Sequence, residues 1–137
     1  MEGFPFSIEQ RVVFRDVDML GHVNNAVYAT YFETARLEYI LSVGGEAAAS
    51  LPLILAEITI TYKSPAFLRE TLEIGVRVAE IRTSSFIVES QIVEKESRRL
   101  VATSRAVIVH YDYAEQRAKP VPQEWRERFA QMEGRAL

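Results

Sequence analysis

Phe14-Arg15-Asp16-Val17-Asp18-Met19-Leu20-Gly21-His22-Val23-Asn24-Asn25-Ala26-Val27-Tyr28 joins a strand-like pattern to a helical one, and the reading of this junction decides the fold. It holds two carboxylates, a glycine, one of the chain's two histidines and a pair of asparagines. Asn is a good helix N-cap, because its side-chain oxygen accepts from the free N–H groups of the first turn. Asn24 is therefore read as the cap. A helix N-terminus gathers unpaired donors and a partial positive charge. The segment thus points a carboxylate and an imidazole at a place suited to negative oxygen. That arrangement sets a base or nucleophile beside an oxyanion hole.

Downstream, a helix is expected from Asn24 to about Val43. Tyr28, Tyr31, Phe32, Ala35 and Tyr39 recur on one face of a 3.6-residue period, and Leu37, Ile40 and Leu41 widen the apolar surface. A helix this broadly apolar is covered on most sides. Gly44-Gly45 ends it. Upstream, residues 7–15 read as a first strand, and 16–23 as a loop. Beyond the helix the period changes to two. Ile54, Ala56, Ile58, Ile60 and Tyr62 alternate with Leu55, Glu57, Thr59, Thr61 and Lys63, and Leu72, Ile74, Val76 and Val78 form a second series. Strands at about 86–96 and 99–112 follow, with turns at Arg82-Thr83-Ser84-Ser85 and Lys95-Glu96-Ser97-Arg98-Arg99. Long runs with short polar connections imply an antiparallel meander. Val107-Ile108-Val109 is apolar on both faces, which suggests the helix on one side and another subunit on the other. Pro122 opens a short C-terminal helix carrying Trp125, Phe129 and Met132. The class is α+β: an antiparallel sheet of about five strands wrapped around one long helix.

The chain has 137 residues, enough for a single domain over 1–137 with a usable core. Its net charge of −3 and lack of a long basic run argue against nucleic-acid binding. With no cysteine and two histidines, disulfides are excluded and a zinc site is improbable. No signal peptide or membrane-spanning run is visible, so the expected setting is the reducing cytoplasm, with no membrane partner.

The order of these elements, together with F-R-D-V-D-M-L-G-H-V-N-N-A-V-Y-A-T-Y-F-E-T-A-R at 14–36 and I-T-I-T-Y-K-S-P-A-F-L-R-E-T-L-E-I at 58–74, resembles the hot-dog superfamily. The similarity is to the branch typified by 4-hydroxybenzoyl-CoA thioesterase and covers residues 7 to about 112. The resemblance implies a five-stranded sheet around a central helix, working as a homodimer or homotetramer on an acyl-CoA substrate without cofactor or metal. It puts the catalytic carboxylate at Asp18 and the oxyanion-hole donor at the backbone N–H of Asn25. Gly21 falls where the backbone approaches the thioester. Plant acyl-carrier-protein thioesterases are similar here too, and by that match His22 joins Asp18 as catalytic. Leu20 stands where those enzymes have Asn, and the 4-hydroxybenzoyl enzyme is apolar at the position of His22.

Other residues have plainer readings. Asp16 is expected to make turn bonds or pair with Arg15 or Arg36, and Glu33 to pair with Arg36 three residues on. His110 lies among strand apolar residues and is structural. Tyr28, Tyr31 and Phe32 read as core. Arg82 is a turn cation, and the resemblance makes it a candidate for the CoA phosphates. The expected activity is hydrolysis of an acyl-CoA to free CoA and a carboxylic acid. The alternatives are an acyl-carrier-protein thioesterase and a non-catalytic thioester-binding protein. A hydratase on the same fold would need a G-D-x-N-P-x-H pattern, which this chain lacks.

Overall fold

The computed structural model describes residues 1–137, apart from the side chain of Ala49. The elements are β1 (Phe6–Arg11), α1 (Val27–Gly44), β2 (Leu53–Tyr62), β3 (Thr71–Ile81), β4 (Ser85–Glu94), β5 (Leu100–Asp112), β6 (Arg117–Ala118) and α2 (Gln123–Glu133). The long strands form one antiparallel sheet in the order β1-β3-β4-β5-β2, and the two-residue β6 pairs with the end of β5. The sheet curls around α1, as the hot-dog resemblance implies.

The face of α1 read from the sequence is the buried one: Tyr28, Tyr31, Phe32, Ala35 and Tyr39 lie in the core with Leu72, Ile74, Val76 and Val78 of β3. Burying each such ring or branched chain contributes on the order of 2 kcal/mol. Helix α2 closes one end, where Phe129 packs on Tyr39 and Phe86 and Trp125 packs on Phe129. Gly44 is required there, because a Cβ would overlap the Trp125 ring.

Four expectations need correction. The first strand ends at Arg11, not residue 15, because Phe14–Asp16 turns into a 3-10 helix. Helix α1 begins at Val27 and not at Asn24. Asn24 is not its N-cap: its side chain accepts from the Ala26 N–H at 2.9 Å and its carbonyl from Val27, a turn that precedes the helix. The meander holds for β3-β4-β5 only. Strand β2 crosses to the far edge and pairs with β5, since a sheet wrapped on a helix needs a strand on that side.

The fourth correction concerns exposed apolar surface, which the sequence placed on the 99–112 strand. Strand β5 lies inside the sheet, with Val101, Ala102, Ala106 and Ile108 buried within the chain. Exposed apolar side chains lie instead on β2 and the outer side of α1, at Ile54, Leu55, Tyr62, Leu37 and Leu41, and on the loop before α1, at Phe14, Met19 and Leu20. The outer edge of β2 has no partner strand among the described residues. No helix is long and apolar enough to cross a membrane.

Candidate active site

The loop before α1 is held by its own backbone. Asp18 N–H donates to the His22 carbonyl at 3.0 Å, and Gly21 N–H to the Asp18 carbonyl at 3.1 Å. Gly21 sits at φ +87°, a left-handed conformation that other residues adopt only with strain. Val23 N–H donates to the Ala66 carbonyl at 2.9 Å, which ties the loop to the segment after β2.

Asp16 and Asp18 have different surroundings. Asp16 pairs with neither Arg15 nor Arg36. Its carboxylate accepts from the Tyr31 hydroxyl at 2.7 Å and from Val13 N–H at 3.3 Å, and its carbonyl accepts from Asn24 N–H. Burial, and then this carboxylate, push the Tyr31 hydroxyl well above the ordinary tyrosine value, so it stays a donor. Asp16 is thus a structural anchor. Asp18 spends one oxygen on the Leu20 N–H at 2.9 Å. Its other oxygen accepts no hydrogen bond among the described residues and lies 3.9 Å from Nδ1 of His22. That is too long for a hydrogen bond. Nδ1 of His22 also lies 3.4 Å from the Val23 carbonyl.

Asp18, His22 and Asn25 border one cavity of about 430 Å³, together with Val23, Tyr28, Tyr62, Lys63, Ser64 and Pro65. The N–H of Asn25 has no hydrogen-bond partner among the described residues, while its carbonyl accepts from the Tyr62 hydroxyl at 2.9 Å. Tyr28 packs edge-on to Tyr62, and its hydroxyl accepts from Ala66 N–H at 3.2 Å. Burial raises the Tyr28 hydroxyl above the ordinary value, so it too stays protonated. Asp18, with one carboxylate oxygen unbonded, and Asn25, with its N–H unbonded, therefore border one space just ahead of α1. Such a space can polarise a carbonyl and deliver a nucleophile to it.

The structure places the remaining residues as follows. Asn24 and Gly21 belong to the same loop. Arg82 lies in the β3–β4 turn and pairs with Glu80 at 3.4 Å. The strand register puts Ile81 in a row with Phe86, Ile108 and Leu55, whereas Tyr62 is in a row with Ala102, Ile92 and Ile74. Seven residues of β2 separate the two rows, roughly 23 Å along the strand. Within one chain Arg82 is thus at the opposite end of the sheet from Asp18. Glu33 and Arg36 form no ion pair among the described residues, contrary to their expected helical pairing. His110 is structural, as expected: Nδ1 lies 3.2 Å from the Lys119 carbonyl and 2.9 Å from that of Pro120. Tyr62 and Lys63 were not singled out from the sequence, although the 58–74 match contained them. Among the described residues no three metal-ligating side chains cluster.

A family profile described as the thioesterase-like superfamily matches residues 12–129. The chain is 30% identical over 119 residues to the Escherichia coli long-chain acyl-CoA thioesterase FadM, covering 85% of this chain and 90% of that protein. It is 26% identical over 109 residues to the Arabidopsis thaliana chloroplastic acyl-acyl carrier protein thioesterase ATL3, covering 78% of this chain and 57% of that protein. A Thermus thermophilus thioesterase crystallised with coenzyme A and zinc superimposes with a TM-score of 0.91 at 34% identity, over 100% of both chains. With the profile running from just after β1 into α2, well over half of the chain, the chain belongs to the thioesterase-like superfamily.

Proposed function

We propose that this protein hydrolyses acyl-CoA thioesters to free CoA and a carboxylic acid. The observation that carries the reading is that Asp18, with an unbonded carboxylate oxygen, and Asn25, with an unbonded N–H, line one cavity. A thioester carbonyl oxygen directed at the Asn25 N–H is polarised by that donor and by the positive end of α1. Asp18 then activates a water, or attacks the carbonyl carbon itself to give an anhydride that water opens. Either route expels the CoA thiolate, which takes up a proton. Gly21 lets the loop pass close to the thioester. Asn24 holds the turn that presents Asn25. His22 orders the loop around Asp18. No cofactor or metal enters these steps.

The working unit is a homo-oligomer with its sites at a subunit interface. The free, apolar β2 edge supports this, because an uncovered edge of this kind is a template for pairing. Antiparallel pairing of two β2 edges brings the Leu53 end of one copy to the Tyr62 end of the other. The Arg82 end of each sheet then approaches the Asp18 end of its partner, where Arg82 can serve the CoA phosphates.

The 3.9 Å separation of His22 and Asp18 favours one alternative, an acyl-carrier-protein thioesterase that uses both. Incubating the protein with matched acyl-CoA and acyl-carrier-protein panels and a thiol reagent tests both readings. Thiol release from the CoA series supports the proposal, and release from the carrier-protein series alone selects the alternative. Binding without release would mark a non-catalytic thioester-binding protein.

A further inference from the structure

A second cavity, of about 330 Å³, lies between the C-terminal half of α1 and the start of β2. Its walls are mostly apolar, among them Leu37, Ile40, Leu51, Ile54 and Leu55. Arg36 lines it as well and is 9% exposed. Its Nη1 is buried and has no hydrogen-bond partner. Glu33 borders the same cavity from the exposed side of the helix and forms no ion pair with Arg36. A buried guanidinium nitrogen with no acceptor is costly to keep, and the cost is relieved when an anion arrives. Burial holds its pKa below the ordinary arginine value, against the opposing charge of nearby Glu33.

This chamber and the Asp18 cavity share no lining residue, and they lie toward opposite ends of β2. The β2-to-β2 pairing proposed above sets the chamber of one copy beside the Asp18 cavity of the other. An acyl chain leaving that thioester then runs into a mostly apolar space that contains the Arg36 guanidinium.

We infer that Arg36 recognises a carboxylate at the far end of the acyl group, so that the preferred substrates are CoA half-thioesters of dicarboxylic acids. Arg suits this role because its planar fork donates two parallel N–H bonds to a carboxylate. The inference rests on the thioesterase reading and on pairing through β2.

The test compares adipoyl-, suberoyl- and sebacoyl-CoA with hexanoyl-, octanoyl- and decanoyl-CoA on the wild-type protein, which requires no variant to fold. At the chain length that fits, kcat/KM for the dicarboxylic thioester should exceed that of its methyl-ended counterpart by about 10- to 100-fold, the span of a charged hydrogen bond in a buried site. Arg36→Met should reverse the preference, and Arg36→Lys should keep part of it. A wild-type preference for methyl-ended chains at every length overturns the inference and leaves the thioesterase reading standing. The same holds if Arg36→Met alters no preference but dissociates the oligomer, since Arg36 then serves the contact between subunits. If no acyl-CoA is hydrolysed, the thioesterase reading fails, and calorimetry with free suberate and octanoate decides the site. Suberate binding that Arg36→Met abolishes supports it, and equal or absent binding overturns it.

Discussion

Asp18→Asn separates chemistry from architecture because the loop asks little of the charge. The Leu20 N–H needs an oxygen acceptor at 2.9 Å, and Asn supplies one in the same place. Exchanging a charged acceptor for a neutral one costs roughly 1 kcal/mol. The side chain is 25% exposed, which reduces that further. For a chain of this size the change lowers Tm by no more than about 4 °C. Catalysis loses far more. Removing a positioned base lowers kcat by about 10²–10⁴-fold. At 1.36 kcal/mol per decade that is roughly 2.7–5.5 kcal/mol of transition-state stabilisation, several times the folding cost. The assay is thiol release from acyl-CoA at saturating substrate, with Tm measured on the same preparation. KM should change little, because the carboxylate acts on the transition state. Wild-type kcat in the Asn variant would refute the reasoning. So would a fall in kcat matched by a collapse in Tm, because the residue would then be holding the loop.

His22→Ala should lose about tenfold in kcat and no more than about 1 kcal/mol of stability, since the only hydrogen bond of its side chain among the described residues is long at 3.4 Å. A defect as deep as that of Asp18→Asn, not deepened further in the double variant, would show that the two act as a unit. Light scattering at micromolar concentration should report a homo-oligomer. Leu55→Lys, on the exposed edge strand, should convert it to an inactive monomer, and an active wild-type monomer would remove the shared-site proposal. Glu94 tests the electrostatics of the β4–β5 turn. The backbone N–H groups of Glu96 and Ser97 hold its carboxyl down at about 2, from the ordinary 4.5. A depressed pKa contributes stability that is present above the unfolded value and lost as pH falls through the folded one. The Tm gap between wild type and Glu94→Gln should therefore be full at neutral pH and close between pH 4.5 and about 2. A gap independent of pH would exclude the charge as its cause.

Much of the architecture was legible because it depends on short periods. Tyr28, Tyr31, Phe32, Ala35 and Tyr39 mark one helix face, and that face is buried. Leu72, Ile74, Val76 and Val78 mark one strand face, and every one of them is fully buried. Boundaries were less legible. Asn24 has a strong cap propensity, yet the helix starts three residues later, because a turn bonded to Asp16 and Ala26 claims its backbone and side chain first. The site was half visible. Of the loop residues read from the sequence, Asp18, His22 and Asn25 border the cavity and Gly21 does not, whereas Tyr62 and Lys63 look like ordinary strand-end residues until the fold brings them there.

The sequence by itself determined a long buried helix, an antiparallel sheet around it and a polar loop at the helix entrance, since each follows from the spacing of apolar and capping residues over a few turns of chain. Tertiary structure alone decided the rest. Which strand takes the free edge depends on strand order, and local periodicity is blind to order: β5 is as apolar as an interface strand, but β2 lies outside it. Whether Glu33 meets Arg36 depends on what covers the helix, and the sheet buries Arg36 while leaving Glu33 in solvent. The strand register likewise puts Arg82 at the opposite end from Asp18. In each case the deciding quantity is a contact between residues far apart in the chain, which propensity and spacing do not encode.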